Sequence, residues 1–182
     1  MATTSKVLTY EEWLTLPEVE GVEEVVNGVI VTMPPNKVLH ADTVENLADL
    51  LKAKVDRRTV QVRVSTFGLL IRREPLSTRV PDIGVFIRAN VIQEGGYIHS
   101  APELIVEVLS PANTRAERAG KLQDYESLGV PEVWVVSPEA QTVEVLRLQD
   151  GRLTTTSLLR EGQLAPTRFP GATVEISAIW PK

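Results

Sequence analysis

The chain has 182 residues, a formal net charge of −5 and no cysteine. That length suits one domain over residues 1–182 with a sizeable core, and the missing thiols exclude disulfides, thiolate zinc sites and a cysteine nucleophile. With only His40 and His99 as imidazoles, a multi-histidine centre is disfavoured, so any bound ion should be a hard, oxygen-liganded Mg²⁺, Mn²⁺ or Ca²⁺.

The acidic balance argues against a protein that coats nucleic acid through its overall field, while leaving room for one local phosphate site. No apolar run approaches the ~18 residues of a membrane span, and the N-terminal MATTSKVLTYEEW has no apolar leader core. A soluble, cytoplasmic protein is expected.

In chain order, Thr9-Tyr10-Glu11-Glu12 has capping-box spacing and predicts a short helix from about Tyr10 to Leu16, stopped before Pro17. Val22 to Met33 is apolar on both sides of Asn27-Gly28, the strongest short hairpin signal. From Lys37 to Val55 the residues Val44, Leu47, Leu51 and Val55 follow helical spacing, with His40 one turn earlier. Three β-like runs follow: Val60 to Ser65, Phe67 to Ile71 and Val80 to Ile87. Arg72-Arg73-Glu74-Pro75 and Ser77-Thr78 read as a polar connection before the third, which opens Val80-Pro81-Asp82. Gln93 to Gly96 reads as a loop.

Leu104 to Leu109 is a short, β-branched apolar run holding one carboxylate, Glu107. An isolated buried charge costs several kcal/mol, so that acid needs a partner or a task. Beyond Ser110-Pro111 a helix is predicted, ending at Gly129 as C′ residue. On it Lys121, Tyr125 and Leu128 share one inward face. Pro131 to Val136 reads as another buried strand, Thr142 to Leu148 and Leu153 to Leu159 as a hairpin, and Ala172 to Ile176 as a last strand. The order predicts an α/β fold with a mixed sheet.

Asp82 and Glu107 fall on strands separated by one loop, so a sheet can bring them together. Close carboxylates repel, and a divalent cation relieves the repulsion. Mg²⁺ takes one or two carboxylates together with water and substrate phosphate, and can polarise a phosphodiester and activate water. Lys121 has the charge to orient that water or to meet developing negative charge.

Pro81-Asp82, Glu107-Val108-Leu109-Ser110-Pro111, Lys121, Tyr125, Gly129-Val130-Pro131-Glu132 and Trp134 stand in an order that resembles the Uma-two family of the PD-(D/E)xK nuclease superfamily. The likeness extends upstream to Glu24 through Val29 and to His40. It implies a restriction-endonuclease-like fold, a mixed central β-sheet flanked by helices. It also implies Mg²⁺- or Mn²⁺-dependent endonuclease hydrolysis of DNA phosphodiesters. By position, Asp82 and Glu107 become metal ligands, the Val108 carbonyl a third, and Glu24 an auxiliary acid. Leu109 stands where the superfamily lysine usually follows the second acid, and the family pattern moves that lysine to Lys121. Glu117 and Ser137 stand where family members often carry Asp. A homodimer is a family-level expectation only.

Taken singly, these residues have ordinary structural readings. Asp82 can bond backbone amides at a strand start, Lys121 can carry its amine to water, and His40 reads as a surface or packing residue near the site mouth. Glu23 and Glu24 point to opposite faces, and spacing to Asn27-Gly28 selects Glu24. Arg57, Arg58, Arg72, Arg73 and Arg79 are candidates for phosphate contacts, with solvated charge as the commoner explanation. The principal alternative function is a non-catalytic nucleic-acid-binding or protein-interaction module on the same fold. A glycosidase using Asp82 and Glu107 would leave Lys121 unexplained.

Overall fold

A computed structural model describes residues 7–17, 21–65, 67–111 and 114–181; residues 1–6, read above for a leader segment, lie outside these ranges. Thr9 and Glu12 form the expected capping box and start α1 (Tyr10–Leu14). β1 (Val22–Val26) and β2 (Val29–Met33) form the expected hairpin, and Asn27 (φ 51°) and Gly28 (φ 78°) both adopt the positive φ of its tight turn. α2 (Val38–Lys54) follows, with Val44, Leu47, Ala48 and Leu51 buried along one stripe. Then come β3 (Val60–Val64), β4 (Leu69–Arg73), β5 (Leu76–Arg79), β6 (Ile83–Ile87), β7 (Gln93–Glu94), β8 (Tyr97–Ile98) and β9 (Leu104–Val108). α3 (Arg115–Leu128), β10 (Glu132–Ser137), β11 (Thr142–Gln149), β12 (Arg152–Leu159), β13 (Gln163–Leu164) and β14 (Val174–Glu175) complete the chain. Among the described residues no helix is long and apolar enough to cross a membrane.

The central sheet has six strands in the order β12-β11-β10-β9-β6-β3. All neighbours are antiparallel except β9 and β10, which run parallel. A parallel pair needs a long crossover, and α3 supplies it. The mixed α/β sheet expected from the sequence is therefore present.

Strand alternation decides which side chains meet which helix. Leu104, Val106 and Val108 of β9 join Trp134 and Val136 of β10 in the cluster that α2 covers. Ile105, Val133 and Val135 face the other way, into the cluster that contains Tyr125 of α3. Glu107 shares the parity of Ile105, so its carboxylate is directed at α3 and not at the α2 core.

Some expectations fail at the edges of the main sheet. Ser77 and Thr78, read as connection, lie within β5 and are almost fully buried. They are tolerated there because their hydroxyls accept from the Asn27 and Val25 N–H groups at 3.1 and 2.9 Å, giving the hairpin its hydrogen-bonded seat. The run starting at Val80 becomes strand only from Ile83, and that starting at Phe67 only from Leu69. The presumed loop around Gly95-Gly96 is a two-residue turn joining β7 and β8, and Ala172 to Ile176 contains only the short β14. These elements form a second sheet, β5-β4-β8-β7, and a two-stranded pair, β13-β14.

α3 is defined at both ends. Thr114 and Glu117 form a capping box, and Gly129 (φ 81°) ends the helix in the left-handed region. Thr114→Ala should lower stability by about 1 kcal/mol in urea denaturation, the usual value of an N-cap, because the Glu117 N–H loses its acceptor.

Candidate active site

Four elements deliver four charged side chains to one place. Asp82 precedes β6, and Glu107 lies on the neighbouring strand β9, where Ile83 pairs with Val106. Asp82 Oδ2 accepts from the Val108 N–H at 2.7 Å, so the two acids are tied through the backbone. Lys121, on the inward face of α3, donates to Glu107 Oε2 at 2.7 Å and lies 3.7 Å from Glu24 Oε1. The Tyr125 hydroxyl, one turn further along α3, donates to Glu107 Oε1.

Glu24 reaches the site from β1 and is 2% exposed. Its Oε1 accepts from the Val80 N–H at 3.0 Å and its Oε2 from Arg79 at 2.8 Å. Arg79 also binds Asp124 of α3 at 2.8 and 2.7 Å, and Arg72 binds the other Asp124 oxygen at 2.7 Å.

Several side chains fall where the sequence reading did not put them. Arg79 is buried between carboxylates, and Arg72 and Arg73 are paired with Asp124 and Glu94, so none of the three stands free for a phosphate. Arg57 and Arg58 are exposed. His40 is neither a surface nor a plain packing residue. It is 7% exposed, its Nε2 lies 3.0 Å from Asp82 Oδ1, and its Nδ1 has no hydrogen-bond partner among the described residues. Glu117, which departs from the family's Asp, is the capping carboxylate of α3. Asp124 and the Arg79 link were missed altogether. The available signal was helical: Asp124 lies three residues after Lys121 and so shares its inward side.

The electrostatics follow from burial. Burial pushes Glu107 above the usual carboxylate range; Lys121 opposes that rise and the Asp82 charge adds to it. Burial works against the Lys121 charge, but Glu107 and Glu24 outweigh it and hold its pKa well above the ordinary lysine value. The Tyr125 hydroxyl is raised too, by burial and then by Glu107, so it remains a donor.

Formal charges suggest what the site accepts. Arg79 and Arg72 balance Glu24 and Asp124, which leaves Lys121, among the described residues, as the fixed positive charge facing Glu107 and Asp82. That excess of negative charge, all on oxygen, fits a hard divalent cation. Among the described residues no group of three or more His, Asp or Glu side chains is gathered to hold an ion unaided. The fit is therefore to a cation that keeps water and takes substrate oxygens.

Glu24, Glu107 and Lys121 line a cavity of about 350 Å³, with Val108 at its edge. Asp82, whose side chain is 14% exposed, adjoins this cavity through its bond to Val108.

Comparison with known proteins bears on the family and the fold. Residues 9–177 match the Uma2 family model, described as "Putative restriction endonuclease". No curated protein matches the chain. A crystal structure described as "a putative nuclease belonging to DUF820", from Anabaena variabilis, superposes with a TM-score of 0.77. The match covers 94% of this chain and 97% of that one at 23% identity, which establishes likeness of fold.

Two measurements test the buried network. Arg79→Met leaves Glu24 and Asp124 without their shared cation and should cost about 3–5 kcal/mol in urea denaturation, the usual penalty for half a buried pair. The second follows from Lys121, whose folded pKa is raised. Its contribution to stability is complete below the unfolded value of about 10.4 and is lost as pH rises toward the folded value. The stability of wild type relative to Lys121→Met should therefore hold up to about pH 10 and fall progressively above it.

Proposed function

We propose, from the premise that this chain belongs to the Uma2 family, that it is a metal-dependent endonuclease hydrolysing DNA phosphodiester bonds. The observation that carries this reading is the convergence of Asp82, Glu107 and Lys121 from β6, β9 and α3 beside one cavity. Asp82 and Glu107, with the Val108 carbonyl, would hold Mg²⁺ or Mn²⁺. When bound, such an ion polarises the scissile phosphate and lowers the pKa of a water.

The chain's own groups do the positioning. Asp82 is held by the Val108 N–H on one oxygen and by His40 on the other, which fixes the carboxylate plane. Glu107 is held by Tyr125 and faces Lys121. Lys121 keeps its proton, so it acts as a donor and a point charge toward developing negative charge on the phosphate or toward the attacking water. It does not serve as a general base. Glu24 assists at one remove: its salt bridge to Arg79 fixes it 3.7 Å from Lys121.

A second reading, a non-catalytic nucleic-acid-binding or protein-interaction module, draws on one observation: both Glu107 oxygens are already engaged, by Lys121 and Tyr125.

The experiment is DNA cleavage with Mg²⁺ or Mn²⁺ by wild type, Asp82→Asn and Lys121→Met. Asparagine can still accept from Val108 and reach His40, so it removes charge while keeping shape. Each variant should lose activity by about 10²–10³-fold, the scale of one lost electrostatic contact, with the circular dichroism spectrum unchanged. Full activity in Asp82→Asn would overturn the assignment of the metal to Asp82 and with it this site. Absence of cleavage and of metal-dependent DNA binding in wild type would favour the second.

A further inference from the structure

The cavity beside the acids has two chemically different halves, and the reaction above uses only one. Its floor is Glu24, Glu107 and Lys121; its wall is Val26, Val31 and Met33 from the hairpin, Ala116 and Leu122 from α3, and Val135 from β10. The hairpin register builds that wall. Glu24 pairs with Val31 and Val22 with Met33, so Val31 and Met33 stand on the same face as the buried acid. A strand face open to solvent is ordinarily polar, yet Val31 is 39% exposed.

Charge makes the apolar half more telling. Proteins that hold long duplex DNA do so by neutralising a run of phosphates with free lysines and arginines. Here the net charge is −5, and each cation lining the cavity is already paired: Arg79 with Glu24, Arg118 with Glu144 and Lys121 with Glu107. A volume of about 350 Å³ lies at the small-molecule end of binding sites. It accepts one nucleotide but not a paired helix with grooves of roughly 12 and 6 Å. A base has an apolar π-face that packs against such a wall without regard to sequence, and it can reach one only when it is out of the stack.

We propose that this wall seats the base of one unpaired nucleotide of a DNA strand while its phosphate lies over the Glu107–Lys121 floor, so that the protein acts on single-stranded or locally unpaired DNA. The proposal rests on the nuclease reading for the floor, and on the wall alone for strand preference.

The test uses the full chain and three fluorescein-labelled DNA probes of one sequence: a single strand, its perfect duplex, and a duplex with a one-nucleotide bulge. Binding is read by anisotropy in Ca²⁺, and cleavage in Mg²⁺ or Mn²⁺. The single strand and the bulged duplex should bind about 10-fold more tightly than the perfect duplex, because only an unpaired base can bury its face against the aliphatic wall. Val31→Asp, at an exposed position, should erase that preference, and Val31→Leu should keep it. Equal or tighter binding of the perfect duplex would overturn the proposal, as would an unchanged preference in Val31→Asp. The two readings fail separately. Cleavage of perfect duplex as fast as single strand would sink the base seat and leave the nuclease standing. Selective binding of the unpaired probes without cleavage of any would sink the nuclease and leave the seat.

Discussion

The guanidinium of Arg79 is the contact on which the rest of the site depends. It is 6% exposed and lies between Glu24 of the hairpin and Asp124 of the crossover helix. A buried arginine is tolerable only with its donors satisfied, and here one planar group satisfies two carboxylates from separate elements. Through it the β1–β2 hairpin, the β5 edge and α3 hold a common distance. Because Lys121 sits three residues before Asp124 on the same helix, the height of Lys121 over Glu107 is set by the same bond. Asp124 also binds Arg72 of β4, so the second sheet is tied to α3 at this point.

Burial by itself does not separate a working carboxylate from a structural one, and two buried glutamates on neighbouring strands show what does. Glu132, 2% exposed, accepts from the Trp134 indole at 2.7 Å and the Thr167 amide at 3.0 Å. Those donors are neutral, Arg147 lies 3.6 Å from the same carboxylate and balances its charge, and together they anchor the C-terminal segment to β10. Glu107 instead faces a lysine, a tyrosine and a second carboxylate. Its surroundings are charged and unbalanced, which is how sites that bind or react differ from those that only brace.

Much of this was legible from residue patterns because the decisive signals are local. The capping box at Thr9, Asn27-Gly28, Gly129 at the end of α3, the short apolar run around Glu107 and the inward face of Lys121 and Tyr125 each depend on neighbours within a few positions. Strand β5 was not legible. Ser77 and Thr78 look like loop residues, and only the distant Val25 and Asn27 amides make their burial favourable. Arg79 was misread for the same reason, since an arginine's partners lie anywhere within reach of its long side chain. His40 was placed correctly on its helix, but its meeting with Asp82 is a tertiary fact that no spacing announces.

The site also has a temporal side. The Lys121–Glu107 contact spans 14 residues within one strand-and-helix unit, whereas Arg79–Glu24 spans 55. Loop-closure entropy rises with the length enclosed, and contacts of high sequence separation slow folding. The lysine and its acid are thus the near partners, and the hairpin that brings Glu24, Val31 and Met33 is the far one. A partly folded chain can close the Glu107–Lys121 pair before the hairpin seats. Closure of the cavity is in this way the late step, and docking of the hairpin is what reports it.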